Sequence, residues 1–507
     1  MTLLEHRLDL DPAWRLTLEG NYISDQTFVA AYDPELARTR REFASSINLA
    51  NLSDNAAFNM QLRGTFNDFQ SNEFALQSQG YTVKKTPELR YQRVADDLLR
   101  DNPGLLTWTH EYSVAQLQYQ FNKSTASQIG FNTAALSQRA FGLNPNQTFA
   151  QRLTAEGLTD DSVVRADTRQ QLSMNLQEGP VKITPFVVAR ATYYDDKFAT
   201  LADENNDERT RLWGSTGVKL DTSMQRVYSD AQSDFLDVNG LRHIINPSVT
   251  AWSAGSNRNS KSLPVYDPDV DDLSVGNSIA LQLDQTLQTK RGRARTQTTN
   301  PDAPASTGHI ADFLKLNATA VFTSADKDTK APIGRYYDAR PELSNLRDFA
   351  SIDAAMLLTD ALTLTATNIY DLDSRQNATT TTGVQVAHSR DFSTYAELRY
   401  LNALDSTVVA LGLDGRITPT YLLRLETSFD TDQSELQDIN TRIDREFPEA
   451  TFSVKIGYNQ ITDEYSASVL ITPLGRTRRA EQMRRIGRDQ FLEPLTPIPG
   501  PTPEAPL

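Results

Sequence analysis

The sequence predicts an all-β protein, a large antiparallel transmembrane β-barrel of roughly 20 strands with no helical domain. Three observations carry this. Between Ala57 and Asn67, Phe58, Met60, Leu62, Gly64 and Phe66 fall on one face, while Asn59, Gln61, Arg63, Thr65 and Asn67 fall on the other. Side chains of an extended strand point to opposite faces in turn, so this is a strand with one apolar and one polar face. Second, the polar faces are dense in Gln, Asn, Arg, Lys, Glu and Thr, and almost no strand is apolar on both sides, which suits lipid outside and water inside. Third, only 39% of the 507 residues are hydrophobic and the mean hydropathy is -0.48. A barrel dilutes each lipid-facing run by half, and no run of about 18 apolar residues marks a membrane helix.

The alternation recurs along the chain at Trp14-Leu16-Leu18-Gly20-Tyr22, Leu314-Leu316-Ala318-Ala320-Phe322, Tyr421-Leu423-Leu425-Thr427-Phe429 and Phe452-Val454-Ile456-Tyr458. Thr359-Asp360, Ser389 to Phe392 and Thr418-Pro419-Thr420 read as tight joints, and Asp371 to Thr382 as a longer polar loop on the opposite side. Longer acidic loops are expected at Leu201 to Glu208 and from Ser253 to Val275. Residues 1–474 form the expected barrel, with no second domain; residues 475–507 follow as a basic, then proline-rich periplasmic tail. A count near twenty encloses room for a plug protein or a bulky amphiphile, where eight strands leave little lumen.

Composition removes several function classes. A net charge of -15 argues against nucleic acid as a partner. The absence of cysteine removes thiol catalysis, zinc-thiolate sites and disulfides. His6, His110, His243, His309 and His388 have no metal-ligand spacing, and no catalytic grouping appears, so neither an enzyme nor a cofactor is expected. Asp267, Asp269, Asp271 and Asp272 could offer carboxylate oxygens to Ca²⁺, but they lack the glycine and distal glutamate of a calcium loop and read better as a solvated outer loop. Lys290, Arg291, Arg293 and Arg295 read as part of an irregular, solvated periplasmic segment. Trp108, Tyr193, Tyr194, Trp252, Tyr370 and Tyr458 suit interfacial girdles, and Gln61, Arg63, Arg424 and Glu426 suit a lumen lining.

Several segments, in order, resemble the barrel of the LptD (organic solvent tolerance protein) family, which assembles lipopolysaccharide at the outer membrane. Trp14, Ser24, Asp25 and Phe28 carry the likeness in the opening segment. Phe69, Gln70 and Pro87-Glu88-Leu89 carry it in a strand pair, His243 and Pro247 in GLRHIINPSVTAWSAGS, and Asn277 in NSIALQLDQTLQTK. The resemblance implies transport without chemistry. Lipopolysaccharide arrives over a periplasmic Lpt bridge, its sugar passes through the lumen, and its lipid leaves sideways into the outer leaflet past a lumen-plugging, LptE-like lipoprotein. The family's periplasmic jellyroll and first strands have no counterpart here, and MTLLEHRLDLDPAW does not read as a signal peptide, so a truncated member that does not insert alone is expected. His243 itself reads as a strand start after a turn, with Pro247 removing a ladder hydrogen bond. Two rivals stay open: a general porin or uptake barrel, and a secreted soluble all-β carbohydrate-binding protein.

Overall fold

The computed structural model describes residues 2–24, 42–67, 80–129, 132–195, 209–258, 265–291, 309–324, 333–389, 391–402, 406–432, 434–460 and 464–473, with 29, 69 and 197. Its strands are β1 (Thr2–Asp9), β2 (Trp14–Tyr22), β3 (Ser45–Ser53), β4 (Ala56–Gly64), β5 (Tyr81–Asp97), β6 (Leu106–Phe121), β7 (Val163–Met174) and β8 (Leu176–Glu178). There follow β9 (Val181–Tyr194), β10 (Thr210–Thr222), β11 (Met224–Ser233), β12 (Val238–Ser256), β13 (Gly276–Arg291), β14 (His309–Thr323), β15 (Phe349–Thr359) and β16 (Leu362–Asp371). The last are β17 (Gln376–Ser389), β18 (Phe392–Leu401), β19 (Ser406–Thr418), β20 (Tyr421–Asp430), β21 (Glu435–Glu446), β22 (Ala450–Asn459) and β23 (Glu464–Pro473). All 23 belong to one sheet. The expected all-β, antiparallel class is the one found.

Each strand from β1 to β6 pairs antiparallel with the next. β7 and β8 both pair with β9, and β10 and β11 both pair with β12, so each couple acts as one interrupted strand. From β15 to β23 the pairing is again strictly sequential. The joints expected at Thr359-Asp360 and Thr418–Thr420 are tight turns, and at the third Ser389 pairs with Phe392. The long loop expected from Asp371 to Thr382 is instead a four-residue turn, 372–375, with β17 already begun at Gln376. Thr379 to Thr382 are polar but β-branched, and such residues fit a pleated surface whatever their polarity.

The chain divides into two compact units, one of Met1–Thr222, Ser248–Ala280 and Val321–Arg347, the other of Ser223–Pro247, Leu281–Ala320 and Asp348–Leu507. In the first unit the usual order of a soluble protein is inverted. Along β7, Arg165, Asp167 and Arg169 are buried, while Val164 and Leu172, on the other face, are more than 40% exposed. In β9 and β10 the same holds: Arg190, Thr192 and Arg211 lie inside, and Val187, Tyr193 and Leu212 outside. Charged residues are almost never buried unless paired, so a face that buries them while exposing leucine and valine is built for an apolar surrounding.

β6 shows where that surrounding stops. Up to Val114 its outward positions are Leu106, Trp108, Tyr112 and Val114, with His110 buried between the rings of Trp108 and Tyr112; beyond it they are Gln116, Gln118 and Gln120. Inward, the change is opposite. Ala115, Leu117 and Tyr119 join Val163, Tyr194 and Tyr266 in a buried apolar cluster. The stretch Leu106 to Val114 is therefore patterned for a lipid surrounding, and the stretch from Ala115 to Phe121 is organised like a water-soluble sheet. Two short helices, α1 (Ala134–Phe141) and α2 (Phe149–Ala155), cap this region around Ala126, Phe141, Leu143 and Phe149, and a reciprocal capping box between Thr148 and Gln151 starts α2.

The second unit repeats the inside-out pattern. Leu411, Leu425, Phe429, Ile439, Ile443 and Ile456 are exposed at alternate positions. On the opposite face Arg424 pairs with Asp414 at 3.3 Å and Arg442 with Asp444 at 2.7 Å. Gln288 reaches from β13 to Asp312 of β14 at 2.9 Å. Arg291, expected in an irregular solvated segment, is the last residue of β13, fully buried and bound to Asp360 at 2.7 Å and to the Leu357 carbonyl. Arg293 and Arg295, and the tail from residue 474 on, lie outside the described residues.

Candidate functional site

The inward face of β5, β7, β9 and β10 carries a set of cations that no apolar core would tolerate unpaired. Register puts Arg165 opposite Tyr194, Arg169 opposite Arg190 and Arg211 opposite Thr192, so they gather on one face. Two chain segments fold onto this face and pair them.

The first is the acidic segment from Val265 to Ser274, with its single helical turn α3 (Pro268–Asp271). Arg165, with no exposed side-chain surface, donates to Asp271 at 2.8 Å and approaches Asp267 at 3.4 Å. Lys85 binds Asp267 and Glu88, each at 2.9 Å. Tyr194 donates its hydroxyl to Asp271 at 2.6 Å, and Asp271 also accepts the backbone N–H groups of Tyr266 and Asp267 at 3.0 and 2.8 Å. Arg211 donates to the Asp271 carbonyl at 2.7 Å and to that of Val270, and Arg190 donates to the Asp269 carbonyl at 2.8 Å. Arg190 is in turn held by Asp167 through a forked contact of 2.9 to 3.2 Å, which Thr192 joins from 2.7 Å. The ring of Tyr266 stacks on Tyr119 at 4.2 Å. Burial alone would raise the carboxyl of Asp267, but Lys85 and Arg165 beside it hold it below its ordinary value of 3.8. Burial likewise pushes the Tyr266 phenol above its usual range.

The second segment runs from Arg335 to Arg347. Its Glu342 is 2% exposed and accepts from Arg169 Nε at 2.9 Å and from Arg340 at 3.4 Å. Arg340 and Arg90 also reach Glu111, at 3.5 and 3.1 Å. Lys219 pairs with Asp338, whose other oxygen accepts from Thr250 at 3.2 Å. Leu346 of this segment and Leu273 of the first meet Val188, Trp213 and Trp252 in one apolar cluster.

The expected solvated loop at Asp267–Asp272 is therefore corrected. Asp267 and Asp271 are docked on arginine and lysine, and only Asp269 and Asp272 are exposed. Among the described residues no group of three His, Cys, Asp or Glu side chains could hold a metal. Two of the residues expected in an interfacial girdle are inside: Tyr194 is 1% and Trp252 4% exposed. Tyr193 is 48% exposed, and Tyr458 stacks on Tyr465 at 4.5 Å.

The residues singled out from the sequence do not converge. Trp14 opens β2, edge-on to Phe58 at 6.3 Å. Ser24 is exposed just beyond that strand, and Phe69 packs on Ile23, Val29 and Phe43. Asp25, Phe28 and Gln70 lie outside the described residues. Pro87 lies inside β5, where the register shifts between Lys85 and Glu88. His243 shares a hydrogen bond of 2.9 Å with Gln285. Pro247 falls outside both registers of β12, beyond Ile245 paired to Met224 and before Ser248 paired to Asp221, where a residue without an N–H costs least. Asn277 donates to Ser324 at 3.0 Å and its carbonyl accepts from the Ser324 N–H at 3.0 Å. These are structural positions. The arginines of β7, β9 and β10 were missed, although their spacing in VVRADTR is plain: Arg, Asp and Arg at every second residue of a strand.

A family model described as LptD, LPS transport system D, matches residues 1–299. No curated protein matches the sequence. Solved structures similar to the chain include an engineered protein described for asymmetric conductivity, at 11% identity and a TM-score of 0.25. Two mutants of the porin of Rhodopseudomonas blastica follow, at 12% and 10% identity, each with a TM-score of 0.25. In all three the likeness covers 63% of this chain and 93% of the other.

Proposed function

Because the chain belongs to the LptD family of the lipopolysaccharide transport system, we propose that it is an outer-membrane translocon wall that delivers lipopolysaccharide into the outer leaflet. The observation that carries this reading is the inverted face of β7, β9 and β10, apolar outward and densely charged inward. An amphiphile with a phosphorylated sugar head and acyl chains needs both: a polar, cationic path for the head and a lipid-facing wall along which its chains can leave. The segments docked on the inward face favour a gated conveyor over an open solute pore, since an open pore needs its lumen free. A lumen-plugging, LptE-like lipoprotein and a periplasmic Lpt bridge are the partners this reading requires. The chain itself supplies binding and orientation; the family is one of transport, not catalysis.

The test is depletion of the chain in its own cells, followed by measuring lipopolysaccharide at the cell surface. Loss of surface lipopolysaccharide with accumulation inside is expected. Normal surface delivery, with loss of uptake of a small solute instead, would establish the porin reading.

A further inference from the structure

The geometry points to an exchange site for a phosphate group on the inward face, formed by Lys85, Arg165, Arg190 and Arg211 and occupied at rest by Asp267 and Asp271 of the chain itself. This rests on the transport reading for the source of the phosphate, though not for the site.

The argument is one of charge and of unmet donors. Four cations share this face with four carboxylates: Lys85, Arg165 and Arg190 pair with Glu88 and Asp167 from the strands and Asp267 and Asp271 from the docked segment, while Arg211 reaches that segment through the carbonyls of Val270 and Asp271. Lifting the segment removes two of the four negative charges and leaves a net charge of +2 on a wall that is otherwise buried. A phosphomonoester carries close to two negative charges at neutral pH and presents three acceptor oxygens, and a planar guanidinium fork matches them in pairs. The carboxylates are incomplete substitutes. Arg165 and Arg211 are each 1% exposed, yet the Nε of both has no acceptor. A ligand with more oxygens than a carboxylate could satisfy donors that the resting segment leaves bare. The docked segment thus keeps the site shut until an anion of the right charge replaces it.

The experiment uses the absence of cysteine. Val270, 3% exposed in the docked segment, is changed to Cys in the full chain, purified with its outer-membrane partners in bilayer nanodiscs; Leu273→Cys, at a position 2% exposed, serves if that variant folds poorly. The rate of labelling by a soluble maleimide then reports undocking. Added lipopolysaccharide, and inorganic pyrophosphate alone, should each raise the rate by about tenfold, the effect of roughly 1.4 kcal/mol on docking. Lipopolysaccharide stripped of its phosphates, and phosphatidylglycerol vesicles, should not. Adding Arg165→Gln and Arg211→Gln should make labelling fast without ligand and indifferent to it. Unchanged labelling when lipopolysaccharide demonstrably binds, or equal opening by the dephosphorylated form, overturns the exchange and leaves the transport reading standing. Opening by pyrophosphate in a complex that never binds lipopolysaccharide supports the exchange and overturns the transport reading.

Discussion

Arg165 has no exposed side-chain surface, and its two terminal guanidinium nitrogens meet two carboxylates that arrive from about a hundred residues away. A buried ion pair of this kind adds little net stability over an apolar pair, but removing one partner strands a charge and costs about 3–5 kcal/mol. Asp271→Ala should therefore undock the segment 265–274 while leaving the strands paired, seen as lost hydrogen-exchange protection at Tyr266 to Asp271 with β7 and β9 still protected. Asp267 sets the acid limit. Its carboxyl titrates below 3.8 when docked, so its contribution is fully present above that value and is lost as pH falls through the lower, docked value. Protection of the segment, corrected for intrinsic exchange, should be flat from neutral pH down to about 5 and collapse only below the ordinary aspartate range.

At the scale of an element, glycine on the inward face is where a neighbour lies across the backbone. Gly412 of β19 faces Tyr395 of β18 in register, and the tyrosine ring covers it so closely that any Cβ would collide with it. Gly412→Val should cost about 1–3 kcal/mol as an overpacked contact, and in the chain purified with its outer-membrane partners it should lower the fraction that migrates as folded on an unheated gel. Gly217 is similar, its would-be Cβ 2.5 Å from the Phe186 ring and 2.8 Å from the Ala251 carbonyl. The strands were legible because a period of two is local: Phe58, Met60 and Leu62 announce their face without knowledge of any partner. The tight turns at Thr359-Asp360 and Thr418–Thr420 were legible for the same reason. The docked segment was not, because YDPDVDD has the composition of a solvated loop and only Arg165, Arg190 and Arg211, up to 106 residues distant along the chain, make it otherwise. Helix α2 could have been found, since Thr148 and Gln151 stand at capping-box spacing before an apolar turn.

For the molecule as a whole, the soluble carbohydrate-binding alternative fails on surface chemistry: Val187, Leu212, Leu411, Ile456 and Val469 are all 48% or more exposed, and a protein in water does not show apolar faces strand after strand. The chain purified in mild detergent together with its outer-membrane partners should run at a different position before and after boiling, as strands joined by backbone hydrogen bonds resist detergent until heated; identical mobility would count against membrane residence. A tilted strand crosses the hydrocarbon in about 9–11 residues, whereas β5 has 17 and β6 has 16. The surplus is the stretch whose outward side chains are Gln116, Gln118 and Gln120. It extends past the hydrocarbon as a glutamine-faced parapet, and an antibody raised against that ribbon should bind intact cells or only opened ones according to which side of the membrane it occupies.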